Sequence, residues 1–149
     1  MIWLYLMIAL LAGAFMPLQA GVNAQLTRVV GHPVLAALVS FTVGTFVLFT
    51  YSLSLRSSWP TIGTLIAQPP PWWVWTGGLL GAFFVATAAA LAPKLGAATF
   101  TSITVASQMI VSVLLDHYGL IGFQARPLNP WRALGATLLI VGVVLIRRF

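Results

Sequence analysis

The chain has 149 residues, a mean hydropathy of +1.04, 60% hydrophobic residues and only 5% charged ones, where soluble domains carry roughly 25% charged residues. It cannot cover a water-facing surface, and it reads as an integral membrane protein. Cysteine is absent, which excludes disulfides, iron–sulfur clusters and thiolate zinc sites. The net charge of +6 comes from Arg28, Arg56, Lys94, Arg126, Arg132, Arg147 and Arg148 against one acid, Asp116. These bases stand near the ends of apolar runs, where the flanking charges of membrane spans belong. A nucleic-acid-binding face would cluster them, so no nucleic-acid partner is expected.

Five apolar runs are separated by short breaks. The first covers Ile2 to Leu26. It has no basic n-region and stays apolar past any cleavage point, so no cleaved signal peptide is expected. Its second half, Pro17-Leu18-Gln19-Ala20-Gly21-Val22-Asn23-Ala24-Gln25-Leu26, carries three carboxamides and a proline. Gln19 and Asn23 lie about 40° apart on one helical face. Pro17 leaves the Gly13 carbonyl without its helical donor, so Gly13 and Pro17 are a candidate hinge at which the first helix breaks. An unpaired amide in hydrocarbon costs several kcal/mol. Gln19 and Asn23 should therefore face other protein, a cavity or a solute.

The second run, Val34 to Leu55, places Ala36, Ser40 and Gly44 four residues apart, and the third, Trp72 to Ala92, does the same with Gly77 and Gly81, continued by Ala88 and Ala92. Such small-residue stripes let helix backbones approach and are read as packing surfaces. Between these runs, Ser57 to Pro71 carries Trp59, Ile62, Leu65 and Ile66 and reads as a short interfacial segment. Trp3, Trp72, Trp73, Trp75 and Trp131 lie at run ends, as an aromatic belt predicts.

The fourth run, Leu95 to Leu115, holds Thr101, Thr104, Gln108 and Ser112 within about 80° of a helical projection. A hydroxyl can bond back to a carbonyl one turn earlier, but Gln108 cannot be satisfied so locally. Asp116 and His117 close this run as the edge titratable candidates, and a Gly- and Pro-punctuated loop, His117 to Asn129, follows. The fifth run, Trp131 to Ile146, is short for a membrane of ordinary thickness. The runs are continuous rather than alternating, which excludes a membrane β-barrel. The expected fold is all-α, one domain over residues 1–149, with about five spans at 2–26, 34–55, 72–92, 95–115 and 131–146.

No Asp, Glu, Lys or Arg occupies the middle of a span, where such residues mark ion paths and proton relays. No HExxH, Walker loop or nucleophile elbow occurs. An enzyme is not expected, nor any catalytic residue, metal or cofactor. With five spans, Arg56, Arg126 and Arg132 fall on one side and Arg28, Lys94, Arg147 and Arg148 on the other. Orientation follows the Lys/Arg excess. An excess of one predicts insertion in both orientations and pairing of antiparallel copies; the alternatives are a single orientation fixed by Arg147-Arg148 and a partner of opposite bias.

Four segments recur in a recognisable order: Pro17 to Leu26, Ser40-Phe41-Thr42-Val43-Gly44-Thr45, Gly77-Gly78-Leu79-Leu80-Gly81-Ala82, and Asp116-His117-Tyr118-Gly119-Leu120. Together they resemble the YdcZ-type small membrane proteins of the drug/metabolite transporter (DMT) superfamily over essentially the whole chain. The resemblance implies half of a ten-helix DMT-type transporter in a bacterial inner membrane, completed by antiparallel dimerisation. The central carboxylate of the related four-helix multidrug exporters has no counterpart here, so their proton-antiport mechanism is not implied. The resemblance supplies no ligand.

The expected function is a dual-topology, antiparallel homodimeric transporter of a small polar organic solute, working by alternating access in the lipid bilayer. Its site would use Gln19, Asn23, Thr101, Thr104, Gln108 and Ser112 at the dimer interface. The alternatives are a passive ion or small-solute channel on the same scaffold, and a non-transporting partner subunit of another membrane protein.

Overall fold

The computed structural model describes residues 2–56, 59–67 and 69–149, the side chain of Ile62 excepted. Ser57 and Ser58, in the break after the second run, lie outside the described residues. Every regular element among the described residues is helical: α1 Ile2–Val30, α2 Pro33–Ser54, α3 Ile62–Ala67, a 3-10 turn Trp72–Thr76, α4 Gly77–Leu95, α5 Ala97–Tyr118, a second 3-10 turn Leu120–Gly122, and α6 Pro130–Arg148. Among the described residues five stretches are long and apolar enough to cross a membrane: α1, α2, Trp72–Leu95, α5 and α6. The chain divides into two compact units, Met1–Ala90 and Leu91–Phe149, with the boundary inside α4.

In the first unit α1 and α2 form a helical hairpin. Gly31 takes φ +83°, a left-handed conformation suited to glycine, and its N–H donates to the Thr27 carbonyl at 2.9 Å. His32 then caps α2: its Nδ1 accepts from the Val34 N–H at 3.2 Å, and Pro33 opens the helix where no N–H is needed. Two residues thus reverse the chain. α1 runs unbroken through Pro17, which corrects the expectation of a broken helix. One missing N–H removes one bond of a ladder that the flanking turns otherwise complete. At 29 residues α1 is ~44 Å long, longer than a ~30 Å hydrocarbon core, so it tilts or protrudes.

The buried positions of this unit are small. Ala20 of α1, Ala36 and Ala37 of α2, and Val85, Ala88 and Ala89 of α4 are the buried apolar residues. Alanine gains its stabilisation here through close backbone approach rather than bulk. Ala36 has no exposed surface at all. Ala36→Leu should therefore overpack the unit and cost about 1–3 kcal/mol, read as a lower unfolding midpoint in detergent, while Leu at the exposed Leu38 is already tolerated.

Beyond α2, the Trp59 indole donates to the Ser52 carbonyl at 3.1 Å. The short α3 begins at a threonine cap, in which Thr61 Oγ1 accepts from the Thr64 N–H. Trp72, Trp73 and Trp75 lie exposed on the 3-10 turn before α4, as rings anchored at a membrane interface would.

In the second unit α5 packs against α6. Gly96, at φ +84°, precedes α5, and Gly119, at φ +61°, ends it. A Cβ at Gly119 would lie 3.2 Å from the Ala125 Cβ, so both the backbone and the space require glycine there. Asn129 caps α6, its Oδ1 accepting from the Arg132 N–H at 2.9 Å, and Pro130 occupies the first turn. α6 takes in Pro130, Arg147 and Arg148 beyond the apolar run. Its 19 residues give ~28 Å, close to a ~30 Å hydrocarbon core, with Arg132, Arg147 and Arg148 in its end turns.

Candidate functional site

Asn23 is the one buried polar residue among the described positions, at 2% exposure, and its Nδ2 has no hydrogen-bond partner. Its backbone carbonyl accepts from the Thr27 hydroxyl at 2.8 Å. An orphan amide donor of this kind costs about 1–3 kcal/mol. One turn earlier, Gln19 is exposed and, among the described residues, unbonded. Gln19 lines a groove of about 190 Å³ with Ser40, Phe41, Gly44, Thr45 and Leu48 of α2.

That groove changes the reading of Ser40 and Gly44. Both are half-buried, and nothing lies within 4 Å of where a Gly44 Cβ would stand. The stripe borders open space there instead of a neighbouring helix. Gly77 is likewise open, whereas the Phe41 ring comes within 3.4 Å of a Cβ built at Gly81. Gly13, beside Pro17, also has nothing within 4 Å of an added Cβ.

In the second unit, the polar side chains of α5, on and off the stripe, sort into bonded and unbonded members. Ser102, Thr104 and Ser107 donate to the carbonyls of Thr99, Thr101 and Ile103 in their own helix. The Thr104 hydroxyl, counted among the candidate solute contacts, thus has its proton engaged locally. The side chains of Thr101, Gln108 and Ser112 make no hydrogen bond among the described residues, and they fall within about 40° of one helical line. Gln108 and Ser112 are exposed, and Thr101 is half-buried.

Asp116 and His117 are both engaged by bonds within the second unit. Helix α5 runs past both to Tyr118, so they sit in its last turn. The Asp116 carboxylate accepts from Arg132 Nη2, whose Nη1 donates to the Arg126 carbonyl at 2.8 Å. The Arg126 N–H in turn donates to the Asp116 carbonyl at 2.7 Å. His117 Nδ1 accepts from the Leu128 N–H at 2.9 Å. These bonds clasp the loop between α5 and α6 to the end of α5. The sequence showed the residue types but no sign of this closure, because Asp116 and Arg132 meet only after the chain reverses. No group of three or more potential metal ligands occurs among the described residues.

A family described as "Putative inner membrane exporter, YdcZ" matches residues 4–145. The chain belongs to the YdcZ family. It is also 33% identical over 138 residues to the Escherichia coli (strain K12) protein named "Inner membrane protein YdcZ", covering 92% of this chain and 90% of that one. No solved structure matches. The family and the five apolar helices make this a multi-pass integral membrane protein of a membrane-exporter family, in agreement with the resemblance drawn from its motifs.

Proposed function

We propose that the protein carries a small polar organic solute across the membrane by alternating access, as an antiparallel homodimer with its site at the dimer interface. The observation that carries this reading is the carboxamides on apolar helices that find no side-chain partner among the described residues: Asn23 Nδ2, buried and orphaned, with Gln19 and Gln108 exposed and unbonded. Lipid tails cannot satisfy them. A twin and a solute can reach Gln19 and Gln108, which are exposed, and Asn23 in this reading is uncovered as α1 bends. Membership of an exporter family supports transport. The near-even division of basic residues between the two faces supports insertion both ways round.

In this reading the α1–α2 face with Gln19 and Asn23 contributes to the solute site, and the Thr101–Gln108–Ser112 line of α5 is a further face turned to the twin or the solute. Gly13 and Pro17 weaken α1 at one turn and allow it to bend as the site changes access. Two inverted copies exchange inward- and outward-open states by rocking, as repeat-built transporters do. The most apolar stretches of α1 and α6 bury none of their residues within the chain, which leaves helix surface for a second copy and for lipid.

C-terminal fusions to a periplasmic reporter and to a cytoplasmic reporter should both be active in the same cells. Activity of one alone would remove the antiparallel homodimer. In proteoliposomes, labelled solute should accumulate transiently against an excess of unlabelled solute inside. Linear flux without such counterflow would indicate a pore.

A further inference from the structure

α2 carries six serine and threonine residues, Ser40, Thr42, Thr45, Thr50, Ser52 and Ser54. Thr42, Thr50, Ser52 and Ser54 donate to carbonyls three or four residues back, at 2.6–2.8 Å. This is the ordinary resting state of a hydroxyl on an apolar helix. Ser40 and Thr45 do not follow it: among the described residues neither hydroxyl has a partner. These two hydroxyls are the ones that line the groove with Gln19. Neither hydroxyl is engaged by its own helix, so both are free to bond a molecule in the groove.

We infer that this groove is a half-site for a small uncharged solute rich in hydrogen-bonding groups, such as a polyol, bound by Gln19, Ser40 and Thr45 and completed by the same groove of a second copy. The inference rests on the transporter reading above and names the class of its solute. The groove holds about 190 Å³, below the ~300–1,000 Å³ typical of small-molecule sites. Two copies facing one another bring it into that range. The open side of Gly44 provides room for the solute where any larger side chain would take it.

The charge class follows from the lining. No charged residue borders the groove. A desolvated ion without a countercharge is costly, and the sole acid of the chain is already held by Arg132. Neither a permanent cation nor an anion has a partner in the groove. An amide and two hydroxyls each donate and accept, which suits a solute that does both.

The chain contains no cysteine, so single-cysteine variants of the full chain in liposomes test the groove without any transport assay. Ser40→Cys and Thr45→Cys should react with a membrane-impermeant maleimide at least tenfold faster than Val39→Cys, which neighbours Ser40 but does not line the groove. Xylitol should slow labelling at Thr45→Cys several-fold, while tetramethylammonium and acetate should not. Equal reactivity at all three positions, or no reaction at Ser40→Cys and Thr45→Cys, overturns the half-site. Protection by a charged probe, or by none of the three, overturns the solute class. Loss of counterflow with labelling and xylitol protection intact would sink the carrier reading and leave the half-site standing.

Discussion

Replacing Gln19 and Asn23 together by leucine is expected to lower solute uptake by proteoliposomes at least tenfold while leaving the protein as stable as before, or more so. The two halves of this expectation have one cause. Asn23 Nδ2 is buried without a partner, so its removal relieves a desolvation cost of about 1–3 kcal/mol, and leucine keeps the branched outline of asparagine, although its larger volume offsets part of that gain at so buried a site. A residue that destabilises its own fold and is nevertheless present fits a functional role, here a donor that α1 uncovers as the site changes access. Gln19 is exposed to the groove, and its replacement by an apolar group should cost the fold nothing in a membrane. The loss of one hydrogen bond worth ~1.4 kcal/mol in the rate-limiting complex already gives tenfold. Uptake unchanged by the double variant would remove both amides from the site. A large fall in unfolding midpoint would mean that Asn23 is needed structurally.

Arg132→Ala should be the most damaging single change in the second unit. Its guanidinium bonds both the Asp116 carboxylate and the Arg126 carbonyl, and the two side chains of the ion pair are less than a third exposed, at 29% and 26%. Hydrogen bonds to charged groups contribute about 1.5–3 kcal/mol, more than a fully solvated pair of about 0–1 kcal/mol. Removing the arginine also leaves the carboxylate half-buried with no countercharge. Asp116→Asn should cost less, since an amide oxygen still accepts from Arg132. In a double-mutant cycle the two changes should be strongly non-additive. Thermal unfolding in detergent, followed by circular dichroism, reads both. Additive and small effects would show that the clasp holds nothing.

The apolar runs were legible in the sequence because bilayer thickness sets a length of about 20 residues for any helix that crosses it, and the helices begin and end near those runs. The carboxamides were legible for a related reason: few explanations suit an amide in an apolar run. Thr104 was not separable from Thr101 by pattern, since both lie on the same stripe and only the side-chain rotamer decides which hydroxyl bonds back. Pro17 was read as breaking α1. A helix loses one bond at a proline, however, and its neighbours hold it together unless something outside pulls on it.

Ser40 and Gly44 illustrate the same limit. Small residues four apart have one appearance whether they face a packed helix or a hollow, because the pattern records what is missing from the side chain and not what fills the space. Composition and hydrophobic run length by themselves determined the membrane class, the helical class and the near-balance of charge across the two faces, since these depend on local transfer free energies summed along the chain. The tertiary structure alone decided that Asp116 closes on Arg132, that Asn23 is buried without a partner, and that Ser40 and Thr45 border a groove with Gln19. Each depends on which distant residue, or which void, the folded chain brings alongside, and no local free energy encodes that.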